Sequence, residues 1–240
     1  MPYKGKKIFV VMPAFNAEKT LEKTYLDLPK GMFDGVILVD DASADKTVQV
    51  ADRLGLIVVK HDKNRGYGGN QKTCYKTALG IGADIIVMVH PDHQYDPKFI
   101  PEMIEAIISG GYSAVFGSRL AVRKNALAGG MPKWKFVFNI ILTFIGNFFL
   151  GTKLAEFHSG FRAYGKEIFK QIDIERNSDN FVFDTQIIIQ LVEKNIAIKE
   201  IPITTRYFKG ASQIGIWPSV IYGFGILYNI FLYKFKLKKF

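Results

Sequence analysis

Short aliphatic runs recur through the first half of the chain, and each stops at polar or turn-forming residues. The runs at 7–12, 36–39, 57–60, 85–89 and 114–116 have the length and continuity of strands buried on both faces. Between them lie stretches with helical spacing of apolar positions, at about 19–28, at 46–54, and from a glycine-rich loop through about 78. Another runs over 97–108, with Pro97 in its first turn. Strand and helix alternate, which predicts an α/β fold with a mostly parallel central sheet flanked by helices, Rossmann-like in outline. Further on, 134–150 and 183–194 read as helices, 158–164 as irregular and 198–207 as extended.

The helix within 132–150 is amphipathic in an unusual ratio. Lys135, Asn139, Thr143 and Asn147 recur every fourth residue as a narrow polar stripe, while the rest of the surface is aromatic or aliphatic. So wide an apolar face exceeds what packing on one sheet needs. It suits a helix lying in a lipid interface or gripping a lipid chain, with a core helix or an oligomer contact as alternatives. The segment 216–240 repeats the theme: Trp217, Tyr222, Phe224, Tyr228, Phe231 and Tyr233 precede Lys234, Lys236, Lys238 and Lys239. Aromatic belts and juxtamembrane lysines are membrane-surface features. These patterns divide the chain into an α/β domain at 1–215 and a membrane-associating segment at 216–240. Neither apolar stretch reads as long or apolar enough to span a bilayer. The chain is therefore expected to sit peripherally on the cytoplasmic face of a membrane.

Composition narrows the partners. The formal charge of +10, from 32 Lys+Arg against 22 Asp+Glu, calls for an anionic partner. Nothing resembles a nucleic-acid-binding motif, so phosphorylated substrates and a membrane surface are favoured over nucleic acid. The single cysteine, Cys74, excludes an intramolecular disulfide framework and reads as a packing residue. Met1 to Lys7 leads directly into the first strand, so no secretory signal is expected before the fold.

Candidate chemistry collects at the ends of the strands, where open α/β sheets bind ligands. The run ending at Val89 is followed by His90-Pro91-Asp92-His93-Gln94, and on an extended backbone His90, Asp92 and Gln94 share one face. That set predicts a divalent cation, Mn²⁺ or Mg²⁺, held chiefly by Asp92. His90 is either a third ligand, a partner for a diphosphate, or a support for the loop, because imidazole suits Mn²⁺ better than Mg²⁺. Asp40 and Asp41 end the second strand, either accepting from a base or ribose or closing a turn with Ser43 and Asp45. The loop Asn64-Arg65-Gly66-Tyr67-Gly68-Gly69-Asn70 offers backbone able to approach a diphosphate or a ribose. Arg119, Arg162 and Arg206 stand alone in apolar or small-residue surroundings, with a planar fork suited to phosphate oxygens. Arg162 reads equally as a buried partner for an acid.

Taken in order, Val11-Met12-Pro13-Ala14-Phe15-Asn16, Leu38-Val39-Asp40-Asp41, Asn64-Arg65-Gly66 and Pro91-Asp92-His93-Gln94 resemble the family 2 inverting glycosyltransferases of GT-A fold. Gly117-Ser118-Arg119, His158-Ser159-Gly160-Phe161-Arg162 and Ile201-Pro202-Ile203 sharpen the likeness to the dolichyl- or polyprenyl-phosphate sugar synthases. The resemblance implies a nucleotide-sugar donor, UDP- or GDP-linked, bound by Pro13, Ala14, Phe15, Asn16, Asp40, Asp41, Asn64, Gly66, Pro91, Asp92 and Gln94. It implies a polyprenyl-phosphate acceptor met by Arg119, Lys135, Ser159, Arg162 and Arg206, with Asp92, Arg119 and Arg206 carrying catalysis. Two departures stand out: Ala17 occupies a position often held by Glu, and His90 the first acid of the metal motif.

A phosphate monoester, with a second pKa near 6, is already a nucleophile at neutral pH. Such a transferase needs no general base and would invert the donor's anomeric configuration by direct displacement. A transferase acting on a saccharide hydroxyl would need one, for which Asp96 and Asp184 are the candidates. A weakly catalytic nucleotide-sugar-binding protein is the third reading.

Overall fold

Among the described residues seven strands form one sheet. They are β1 (Ile8–Ala14), β2 (Gly35–Asp40), β3 (Ile57–Lys60), β4 (Ile85–Met88), β5 (Ala114–Ser118), β6 (Arg162–Gly165) and β7 (Ile198–Pro202), in the order β3-β2-β1-β4-β6-β5-β7. Strands β1, β2, β4 and β5 are largely apolar and buried, while the edge strands β3 and β7 are more exposed. Only β6 runs antiparallel to its neighbours β4 and β5. It occupies the stretch the sequence reads as irregular, because only four residues pair and Gly160 and Gly165 bracket them. The structure is a computed structural model that describes residues 3–207, 216–238 and 240. Residues 208–215, where the sequence reading ends its first domain, and Lys239 lie outside them.

Helices cover both faces. On one side α1 (Leu21–Leu26), α2 (Thr47–Arg53) and α4 (Ile100–Ile108) bury Leu21, Ala51, Met103 and Ile104 against Val10, Leu38 and Val87. A short helix, α5 (Arg123–Ala128), follows β5. On the other side α3 (Gly66–Gly80) and α7 (Phe183–Glu193) bury Cys74, Tyr75, Phe183 and Ile187 against Val11, Val39 and Ile86. The chain order reverses between β1 and β4, so the crevice at their C-terminal ends is the topological switch point of the sheet.

Two long apolar helices, α6 (Lys133–Leu150) and α8 (Ile216–Lys234), pack on each other and on the α3–α7 side. Gly223 and Gly225 permit this: a β-carbon at Gly223 would stand 2.6 Å from the Phe138 ring, and one at Gly225 would stand 2.7 Å from Val182. Segment 216–240 is not a detached tail, since Ile226, Ile230 and Phe240 belong to the main core.

Their polarity is inverted relative to an ordinary surface helix. On α6 the stripe residues Asn139 and Thr143 are buried, and Asn147 turns in to hold Thr152 and the backbone of Leu154. Val137, Ile141, Phe144 and Phe148 face outward, the last two more than 70% exposed. On α8 Trp217, Ile221, Phe224, Tyr228 and Phe231 do the same. By length and composition α6 qualifies as a possible membrane span, at mean hydropathy 1.2 over 18 residues, which corrects the reading that no stretch is apolar enough.

Candidate active site

A cleft of about 960 Å³ lies over the C-terminal ends of β1, β2 and β4 and extends to α6 and α8. That volume suits a nucleotide-sugar-sized ligand. Pro13, Ala14, Phe15, Asn16, Asp41, Asn64, Gly66, Pro91, Asp92 and Gln94 all line it, so the structure brings nearly all the predicted donor residues to one wall. Asp40 stands just behind, where one carboxylate oxygen accepts the Ser43 N–H at 3.0 Å and closes the turn.

Asp41 is already heavily engaged. Its carboxylate accepts the Arg65 N–H at 2.8 Å and the Gly66 N–H at 3.0 Å, and pairs with His61 Nδ1 at 2.7 Å. It clamps the glycine turn at the start of α3. The glycines themselves serve a purpose different from the one the sequence suggests. A β-carbon at Gly66 would lie 2.7 Å from the Asp179 carbonyl, and Gly68 and Gly69 donate to that carbonyl at 2.7 and 3.2 Å. The turn is lean so that the 178–180 backbone can dock on it. The amides of Gly66, Gly68 and Gly69 at the start of α3 are thus taken by Asp41 and Asp179, which leaves little of this helix end as a diphosphate cradle. That corrects the sequence reading; the partner segment lies too far along the chain for local spacing to reveal it.

The metal motif also departs from expectation. Alternation fails after Met88, because Asp92 Oδ1 accepts the Gln94 N–H at 3.0 Å in a tight turn and His93 has φ of 59°. His90 also lines the cleft, but it is engaged with Tyr67, its Nε2 3.3 Å from the Tyr67 hydroxyl and its ring stacked on Tyr67 at 5.5 Å. Among the described residues no three His, Cys, Asp or Glu side chains group as a metal site. What remains is a carboxylate with oxygen company. Burial pushes the Asp92 carboxyl above the ordinary range, with His90 opposing. A cation would relieve that cost, and carboxylate plus amide oxygens suit Mn²⁺ or Mg²⁺, so the residues present fit the group.

The proposed acceptor residues separate. Arg119 and Lys135 line the cleft; Ser159, Arg162 and Arg206 do not. Arg162 is fully buried, its guanidinium on the Phe116 ring, near Asp184 at 3.4 Å and bonded to three backbone carbonyls. Ser159 is buried and accepts the Phe161 N–H. Arg206 pairs outside with Asp27 at 2.9 Å and Asp96 at 3.5 Å, tying the metal turn to the end of α1. Ser159 and Arg162 have no free face toward a ligand, and their assignment as phosphate contacts is withdrawn; Arg206 is exposed, but it stands outside the cleft with its guanidinium held by Asp27 and Asp96. Arg119 is neutralised by Glu156, which is itself fully buried, and also donates to Tyr207 and the His158 carbonyl. Lys135 has no ion-pair partner among the described residues. Burial and Arg119 hold its ammonium below the usual lysine range. Next to it in the cleft wall, the Asn139 side-chain amide is buried without a hydrogen-bond acceptor.

A model of the family described as glycosyl transferase family 2 matches residues 9–173. The chain belongs to glycosyl transferase family 2.

Relatives span its full length. It is 36% identical over 228 residues to an uncharacterized protein of Methanocaldococcus jannaschii, covering 95% of this chain and 92% of that one. It is 30% identical over 246 residues to the UDP-N-acetylglucosamine–dolichyl-phosphate N-acetylglucosaminyltransferase of Methanococcus voltae, covering 95% and 96%. Glucosyl-3-phosphoglycerate synthase of Mycobacterium tuberculosis, crystallised with UDP, superposes with a TM-score of 0.74 over 96% of this chain and 81% of that chain, at 19% identity. The same enzyme has been crystallised with Mn²⁺ and with Mg²⁺. The fold is the GT-A fold and the protein is a glycosyltransferase.

Within this family 2 site, several cleft residues carry no motif of their own. Tyr67 donates to Asp184 at 2.6 Å; Phe181 and Tyr222 form an aromatic wall beside His158. Burial, then the charges of Arg119 and Arg162, push the His158 imidazole down to about 3. The sign of the linkage follows. Above the ordinary histidine pKa both states are neutral. Below it the unfolded chain takes up a proton that the folded one refuses, so stability falls with pH. His158→Gln should therefore show a shallower loss of unfolding free energy between pH 6.5 and 5, by up to about 1.4 kcal/mol per pH unit in urea titrations. Equal slopes in the two proteins would contradict this.

Proposed function

We propose that this glycosyltransferase moves a sugar from a UDP-linked donor to a polyprenyl phosphate at a membrane surface, giving a lipid-phosphate sugar with inverted anomeric configuration. The observation that carries this reading is the inverted polarity of α6: its polar side lines the reaction cleft and its apolar side is exposed beside that of α8. A substrate with a phosphate head and a hydrocarbon tail matches that boundary. The name of the Methanococcus voltae relative, with its UDP-sugar and dolichyl phosphate, supports the same pairing.

Asp92 and Gln94 hold the divalent cation in this proposal. When bound, the cation neutralises the diphosphate that departs with the nucleoside. Asp41 contributes to base selection by its remaining capacity. Three of its roughly four acceptor positions are filled by protein N–H groups, leaving room for a single donor such as the uracil N3–H, whereas guanine presents two. Lys135 and the unpaired Asn139 amide receive the acceptor phosphate, with Arg119 behind them supplying a compensated field. The phosphate oxygen needs alignment with the anomeric carbon more than deprotonation.

The hydroxyl-acceptor reading has less support. Asp184 is committed to Tyr67 and Arg162, and Asp96 lies outside the cleft with Arg206 and Lys98. To test the assignment, purified protein is given Mn²⁺, radiolabelled UDP-sugar and vesicles carrying polyprenyl phosphate, polyprenol or no lipid acceptor, alongside free saccharides. Label should enter only the lipid phosphate; label in a saccharide, or none in the lipid phosphate, would overturn it.

The exposed faces of α6 and α8 sit in the headgroup region in this proposal, on the cytoplasmic leaflet to which Lys234, Lys236 and Lys238 are suited. Phe144→Glu combined with Phe148→Glu should weaken sedimentation with anionic vesicles by at least about tenfold, since each ring contributes roughly 1.5–3 kcal/mol when buried. UDP binding should not change. Unaltered sedimentation would remove these helices from the membrane contact.

A further inference from the structure

The membrane-facing helix and the donor site are joined by a buried polar relay. Asn229 lies on the inner side of α8, only 7% exposed. Its side-chain oxygen accepts the Gln186 amide N–H at 2.7 Å, and its own amide donates to the Gly225 carbonyl one turn back. Gln186, on α7 and 2% exposed, turns its oxygen to the backbone N–H of Ser178 at 2.6 Å. The next residue in that loop, Asp179, supplies the carbonyl that holds Gly68 and Gly69. The chain of contacts thus runs from α8 through α7 and the 178–180 loop to the glycine turn, whose other amides Asp41 grips at the cleft wall.

A polar side chain inside an apolar helix is costly unless its partners are in place. Leucine or isoleucine at position 229 would serve packing between α7 and α8 at least as well. Asn229 and Gln186 instead satisfy each other and leave the Gln186 oxygen to hold the loop at Ser178. The neighbouring bonds from Lys72 to the Asn177 carbonyl and the Asp179 carboxylate hold the same loop from α3, so it is pinned from two sides.

We propose that Asn229 and Gln186 are positioning residues through which α8 sets the height of the glycine turn, and with it the affinity of the donor site. This rests on the reading of the cleft as a nucleotide-sugar site, and the two are separable. If neither parent nor variants bind UDP, that reading fails while the relay can still be judged from amide exchange in the free protein.

The experiment compares the full chain with Asn229→Leu, with the milder Asn229→Ser should the first not fold, and with Ile230→Ala as a packing control on the same helix. UDP affinity with Mn²⁺ is measured by calorimetry, hydrogen exchange is followed over 66–70 and 178–180, and melting temperature is recorded for each. The Asn229 variants should bind UDP roughly five- to tenfold more weakly, raise the donor KM more than they lower kcat, and lose protection at both segments. Ile230→Ala should lower the melting temperature with UDP affinity unchanged. Parent-like affinity and protection in the Asn229 variants would overturn the proposal. So would an equal loss of UDP affinity in Ile230→Ala, which would make the effect one of general stability.

Discussion

Asp92→Asn is expected to lower kcat by about 10²–10³-fold and, in the same protein, to raise the melting temperature. The two effects share one cause. The carboxylate is held in a buried turn that raises its proton affinity, a cost the unfolded chain does not carry. Asparagine keeps the oxygen that accepts the Gln94 N–H, so the turn is retained, while the charge that a cation requires is lost. The sign is testable against pH. Ionisation of Asp92 is penalised above its raised pKa, so the variant's advantage is present at neutral pH. It shrinks as pH falls through that pKa toward the ordinary carboxylate range. Melting scans at neutral and acid pH, with turnover assays beside them, check both halves. A variant that is less stable and fully active would contradict them.

Arg162→Leu should cost about 3–5 kcal/mol of stability, because it leaves Asp184 buried without its cation and three backbone carbonyls without a donor. Chemical denaturation measures it. Adding Asp184→Leu should restore part of the loss, since a missing pair is cheaper than a broken one. The opposite pattern, normal stability with a raised acceptor KM, would reinstate Arg162 as a phosphate contact.

The sheet was largely legible because its strands are runs of aliphatic residues that end in chemistry, and the ends at Pro13, Asp40 and Asp92 fall where an open sheet binds ligands. The width of the apolar face on α6 was legible too, since a stripe of four polar residues on eighteen leaves little doubt which side is larger. What the pattern could not show is which side faces the protein. Asn139 turns inward to the cleft wall, and Thr143 one turn on is buried behind it. The arginines misled for a related reason. Arg119, Arg162 and Arg206 look alike in sequence, and only the distant acids Glu156, Asp184 and Asp27 reveal that each is already paired. Lys135 has no ion-pair partner among the described residues and lines the cleft. The glycine turn teaches the same lesson, since its close neighbour is Asp179 and not a phosphate.

The most direct measurement is a crystal structure of the protein with UDP, Mn²⁺ and a short-chain prenyl phosphate. The ion should rest on Asp92 against the diphosphate, and the prenyl phosphate on Lys135 and Asn139 with its tail leaving between α6 and α8. An ion bound away from Asp92, or a prenyl tail leaving by another face, would contradict the account.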